Sequence, residues 1–181
     1  MSTIATTNIK HASSSSNNIV LGSDGSAYMP GHIIQVVSAT KTDTFSYTGS
    51  TAFTDITGLS VDITPSSTSS KILVMLYLVA SQENVPCTRI VRDSTAIGLG
   101  DAAGNRVQCT AQISQNSGYI SGNGTPIFLD SPSTTSQITY KAQLSLEQTG
   151  NTAYVNRSVN DGDNIAGHRT ISSITVMEVA A

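Results

Sequence analysis

Serine and threonine fill 50 of the 181 positions, so a hydroxyl nucleophile is the first chemistry to test. Its base could only be one of three histidines: His11, His32 or His168. His11 lies in a polar N-terminal stretch and His32 at the end of it. That leaves His168, beside Arg169 in a glycine-rich loop. An activated serine needs a base within reach and a turn that exposes its Oγ, as the Gly-x-Ser-x-Gly elbow provides. The pattern does not occur, and no catalytic residue is assigned.

Oxygen ligands gather at Asn160-Asp161-Gly162-Asp163-Asn164, which begins like a calcium loop. The glutamate that would close such a loop is missing, because Ile165-Ala166-Gly167-His168 follow. The run reads as a turn between the last two strands. Gly98-Leu99-Gly100-Asp101-Ala102-Ala103-Gly104 mimics a phosphate-cradling loop without its closing Lys-Ser/Thr, and reads as a flexible connection. The 12 acidic residues are scattered mostly through turns, and no pair stands out for glycoside hydrolysis. Neither a metal nor an organic cofactor is expected.

Cys87 and Cys109 are too few for a disulfide framework and lack metal-ligand spacing. They read as two small apolar side chains in strands, with one inter-strand bridge as the alternative. Tyr119 and Tyr154, with asparagines near them, could stack on and hydrogen-bond a sugar. A strand tyrosine serves a core or an interface more often.

Charge narrows the partners. Nine basic and 12 acidic side chains give a net charge of −3, and only 12% of residues are charged, against about 25% in typical soluble domains. With no basic field for phosphates, nucleic acid is not an expected partner. No apolar run reaches the ~18 residues of a membrane span, and no leader segment opens the chain, so membrane insertion is not expected.

The elements that would position any site are strands. From His32 onward, strand-like segments alternate with clusters of Gly, Pro, Asn, Asp and Ser, and no helical period is found. They cover 32–37, 44–48, 59–64, 71–80, 88–92, 96–98, 107–113, 126–129, 137–147, 153–155 and 171–179. The run Lys71 to Ala80 is continuously apolar, which predicts a central strand covered on both faces. Asp93-Ser94 predicts a hairpin turn between two of the segments. About nine to eleven strands predict an all-β fold, an antiparallel β-sandwich and most simply a jelly roll, over residues 31–181. Few Lys or Glu residues are available to blunt its edges, so symmetric self-association is the expectation.

Residues 1–30 differ. Met1 to Asn18 carries the polar run Ser13 to Asn18, with Ile4 and Ile9 as scattered apolar residues, and cannot fold alone. Ile19-Val20-Leu21 and Ala27-Tyr28-Met29 flank an Asp24-Gly25 pair, which predicts a short hairpin. A lone hairpin is marginal in water and needs a partner surface. The segment is read as an N-terminal attachment arm, with Ile4, Ile9, Ile19, Val20, Leu21 and Tyr28 as its anchoring residues.

Several short motifs follow one another along the chain: Gly31-His32-Ile33-Ile34-Gln35-Val36-Val37, Ile63-Thr64-Pro65-Ser66-Ser67 with Ser70-Lys71-Ile72-Leu73-Val74, and Leu129-Asp130-Ser131-Pro132. Thr139-Tyr140-Lys141 and the ending Ser173 to Ala181 come next. Their order resembles a family of bacteriophage virion proteins, the tail-fibre or other appendage proteins of marine and cyanobacterial phages. The arm, with Asn8-Ile9-Lys10-His11, Ser13 to Ser16 and Ile19 to Ser26, looks like the start of such fibres. Together the motifs cover most of the chain, and each alone is unspecific. The resemblance implies a non-enzymatic structural protein of the virion, assembled in the host cytoplasm. It would be a homotrimeric jelly roll or knob that meets capsid or tail proteins through its N-terminal segment. The chain has no long shaft, so capsid decoration stands beside the fibre reading. A tip that binds host-surface glycan through Tyr119 and Tyr154 is the alternative.

Overall fold

Strands follow the two-residue alternation from Ile33 onward. The computed structural model describes residues 6–15, 19–21, 27–29, 31–82, 87–113 and 121–181. Among them lie fifteen strands and no helix. In chain order they are β1 (Asn8–Ile9), β2 (Ile19–Leu21), β3 (Ala27–Tyr28), β4 (Ile33–Lys41), β5 (Phe45–Thr48), β6 (Thr54–Ile63) and β7 (Lys71–Gln82). There follow β8 (Cys87–Arg92), β9 (Thr95–Ile97), β10 (Ala111–Gln112), β11 (Gly122–Gly124), β12 (Ile127–Asp130), β13 (Ile138–Ser145), β14 (Thr152–Val155) and β15 (Ser172–Val179).

Two antiparallel sheets pack face to face as a β-sandwich. The smaller runs β10-β8-β13-β6, with β9 on β8. The larger runs β4-β15-β7-β14-β5, with β11 and β12 also on β7. β7 is the axis of the larger sheet. One of its edges takes β15 along Lys71–Tyr77 and β14 along Ala80–Gln82. The other edge takes β12 along Ile72–Met75 and β11 along Leu78–Ala80. Between the sheets, Ile72, Val74, Leu76 and Leu78 of β7, with Ile174 and Val176 of β15, meet Leu59, Val61 and Ile63 of β6 and Tyr140, Ala142 and Leu144 of β13. Full burial of each such aliphatic side chain contributes about 1.5–3 kcal/mol.

Three departures from the sequence reading have physical causes. The apolar run of β7 is not covered on both faces: Ile72, Val74, Leu76 and Leu78 are buried, but Met75 and Tyr77 are 36% and 37% exposed. β6 starts at Thr54, five residues before the segment read from alternation. Gly58 takes φ +87° and the pairing to β13 slips there, so Ile56 and Leu59 both reach the core although they are three positions apart. A bulge of this kind reverses the alternation and hides the strand's first half. In the segment 107–113 only Ala111–Gln112 forms a strand, and Val107 is 60% exposed. The Asp93-Ser94 turn is formed between β8 and β9, with Asp93 at φ 54° as such a two-residue turn requires.

β1, β2 and β3 form a separate three-stranded antiparallel sheet. Val20 sits at its centre and pairs with Asn8 and Tyr28. The expected hairpin between Ile19–Leu21 and Ala27–Tyr28 is thus present, and β1 adds a strand to it. Its Asp24-Gly25 turn and Ile4 lie outside the described residues. Ile9 is 50% exposed, and Ile19 and Leu21 are half-buried. The chain reaches the sandwich at Gly31, whose amide donates to Ala180 O at 2.7 Å; the Ala180 amide returns a bond to His32 O at 2.9 Å.

Candidate functional site

β14 and β15 are joined by an excursion that leaves the larger sheet at Asn156 and returns at Thr170. A backbone bridge between Arg157 and Arg169, and the Thr170 amide on Asn156 O at 3.2 Å, close its neck. Inside the neck the Arg157 guanidinium donates to Ser158 O and Val159 O at 3.1 and 3.0 Å and stacks over the Tyr154 ring, 4.3 Å from its centroid. Asp161 accepts from Arg169 and lies 3.3 Å from Arg157. Gly167 is packed so closely on Gly162 O that an added Cβ would stand 2.3 Å from it. The loop is therefore built rather than slack, and it carries two arginines, Asp161, Asp163, Asn164 and an exposed His168.

The run from Asn160 to Asn164 lies in the connection between β14 and β15, and its Asp161 carboxylate is held by two guanidinium groups. No group of three or more His, Cys, Asp or Glu side chains that could hold a metal ion occurs among the described residues. Tyr154 is half-buried on β14, and one face of its ring is taken by Arg157. Tyr119 lies outside the described residues. Gly98 to Gly104 is a connection. Its Gly100 amide meets Cys109 O at 3.4 Å, and Gly100 O accepts from Gln108 at 2.7 Å.

The cysteines are free and half-buried. Cys87 is in β8, as expected, whereas Cys109 precedes β10. Burial, and then a hydrogen bond with the Cys109 thiol, push the Cys87 thiol up to about 12.

Buried polar groups that spacing did not reveal tie the sheets together. Asp130 of β12 accepts both oxygens' worth of contact from Arg92 of β8, at 2.8 and 3.0 Å, and takes the Tyr140 hydroxyl of β13 at 2.6 Å. Tyr140 is fully buried, and burial together with that carboxylate raises its phenol well above the ordinary tyrosine range. Glu178 is 1% exposed and accepts the Ser66 amide and hydroxyl, each at 2.7 Å. Asn156 and Ser172, both 0% exposed, occupy the gap between β14 and β15.

On the outward side of the larger sheet the side chains form rows that cross four strands. Val36, Met177, Leu73 and Leu129 make one row; Ser38, Thr175, Met75 and Ile127 make the next. Val36, Leu129 and Ile127 are 57%, 52% and 61% exposed. Beside them Met75, Tyr77, Thr125, Ile127, Ser173 and Thr175 line a shallow, mostly apolar depression of about 140 Å³.

No protein-family model and no curated protein matches this chain.

Proposed function

We propose that the chain is a non-enzymatic structural protein of a phage particle, a sandwich that is attached through residues 1–30 and presents its far end outward. One observation carries the reading. The chain joins the sandwich at Gly31, beside Ala180, whereas the 156–171 loop springs from Ser172, at the opposite end of the same strand. Eight residues at about 3.3 Å each separate the two ends by roughly 25 Å. A module held at one end thus offers its most elaborated loop at the other.

The strand order supports the jelly-roll form of this reading. In the larger sheet β4, β15, β7 and β12 lie side by side; in the smaller, β6, β13, β8 and β9 do. First beside last, then third and sixth, against second, seventh, fourth and fifth, is the order of two interleaved Greek keys. β5, β10, β11 and β14 are short additions to that scheme. The motif order described above supports a phage appendage, with fibre and capsid decoration both compatible. Copies related by a threefold axis would give the arm avidity for a particle.

Mass spectrometry of purified particles from the source phage tests the proposal, with Leu21→Asp as the arm variant. The full chain is expected in the particles and the variant in the unassembled fraction. A chain that stays in the soluble lysate fraction while particles form normally overturns it.

A further inference from the structure

We infer that the outward face of the larger sheet is where a second copy of this chain packs. The inference deepens the oligomeric part of the reading above and rests on it. Met75 and Tyr77 of the central strand β7 are half-exposed on this side although Ile72 to Ala80 is apolar throughout, and the cross-strand register aligns Leu73 and Met75 with apolar neighbours. Val36, Met177, Leu73 and Leu129 form one uninterrupted apolar row. With strands about 4.8 Å apart and same-face residues about 6.7 Å apart, the two rows span roughly 260 Å². That suits the apolar centre of an interface burying about 800 Å² per partner once a polar rim is added.

The chemistry of the face selects the occupant. Rotational symmetry brings the same side chains of neighbouring copies together near the axis, where a charge would meet its like. The two crossing rows hold no charged side chain. Their polar members are Ser38 and Thr175, whose hydroxyls already meet at 2.8 Å. A hydroxyl both donates and accepts, so it can match an identical group without a complementary partner. The nearest charge on this side of β7 is Lys71, at the border of the rows two residues before Leu73, where it donates to Ser131 at 2.7 Å.

Light scattering after gel filtration tests this on the full chain. Wild type is expected at a multiple of 18.8 kDa, in 50 mM and in 1 M salt alike, because no charge holds the contact. Leu129→Asp is expected to raise the dissociation constant at least thirtyfold, while Val107→Asp, exposed in the connection before β10, leaves it unchanged. Far-UV circular dichroism and thermal unfolding establish that each variant is folded. Should Leu129→Asp fail to fold, Leu129→Thr keeps a strand-forming residue and is expected to weaken association about tenfold.

A wild-type chain that is monomeric at every concentration overturns the inference, as does an oligomer indifferent to both Leu129 substitutions. Particle incorporation separates this from the broader reading. Incorporation with a monomeric chain removes only the face; dissociation of the folded Leu129 variants without incorporation of wild type leaves the face and removes the phage assignment.

Discussion

Ser172 and Asn156 close the break in the larger sheet as one hydrogen-bonded unit. The Ser172 hydroxyl donates to Asn156 Oδ1 at 2.7 Å and accepts the Val79 amide at 3.0 Å. Asn156 Nδ2 donates to Lys41 O and Asp43 O, each at 2.9 Å, and the Asn156 amide donates to Val79 O at 3.0 Å. Two side chains thus supply the backbone partners that β7, β4 and the turn before β5 lack where β15 ends and β14 begins. Buried backbone groups left without such partners would each cost about 1–3 kcal/mol.

Asn156 also has φ 62°, a left-handed conformation that asparagine tolerates and alanine resists. Asn156→Ala is expected to destabilise the fold by about 3 kcal/mol or more, through lost bonds and backbone strain. Asn156→Gly removes the same bonds without the strain, and is expected to retain about 1 kcal/mol relative to alanine. Urea unfolding of the pair measures the difference; equal midpoints would show that strain plays no part.

Tyr140 makes stability fall in alkali. Its phenol is raised in the folded state, first by burial and then by the Asp130 carboxylate. Its contribution is therefore complete below the unfolded value near 10, and declines as pH rises from there toward the folded value. The slope in that window is about 1.4 kcal/mol per pH unit for this one proton. Tyr140→Phe is expected to lower stability at pH 7 by about 1.5–3 kcal/mol and to flatten this component. A variant whose profile between pH 10 and 11 retains the full wild-type slope contradicts the assignment.

Acid acts at Asp55 with the opposite sign. Burial pushes its carboxyl up, but hydrogen bonds from Lys141 and Gln143 outweigh that and leave it below the usual range. The benefit is present above the unfolded value near 3.9 and is lost as pH falls through the lower folded one. With Asp55 half-exposed, the Lys141 pair contributes only about 0.2–1 kcal/mol. Asp55→Asn is expected to remove that amount at pH 7 and nothing at pH 2, read by guanidinium midpoints.

Cys87 is expected to resist alkylation. Raising its thiol from 9.0 to about 12 leaves roughly a thousandfold less thiolate near neutrality than an unperturbed cysteine would have. Iodoacetamide kinetics on Cys109→Ala isolate Cys87. The hydrogen bond is then gone and burial remains, so its rate is expected to rise yet stay below that of a free thiol. A rate equal to the free thiol's would show that burial contributes nothing.

The alternation of Ile138, Tyr140, Ala142 and Leu144 was legible as a strand because each inward residue is apolar and each is buried. The same rule failed at Gly58, where a bulge reverses the alternation. It misread Lys71 to Ala80 as well, because continuous hydrophobicity does not distinguish a doubly covered strand from one that awaits another surface. The polar clusters were invisible for a different reason. Asp130 and Arg92 are 38 residues apart and Ser66 and Glu178 are 112, so only the sheet packing creates them. Tyr154 could be picked out by type, but not the Arg157 that occupies its ring.

The attachment of the chain at Gly31 has a mechanical consequence. β4 begins at that end of the sandwich, and β15, which carries the 156–171 loop, begins at the other. The two lie antiparallel over eight paired residues, from Ser172 with Lys41 to Val179 with Ile33. Tension applied between the arm and the loop would therefore draw the strands lengthwise past each other. Their hydrogen bonds run across that direction, so the rungs share the load together instead of parting one after another.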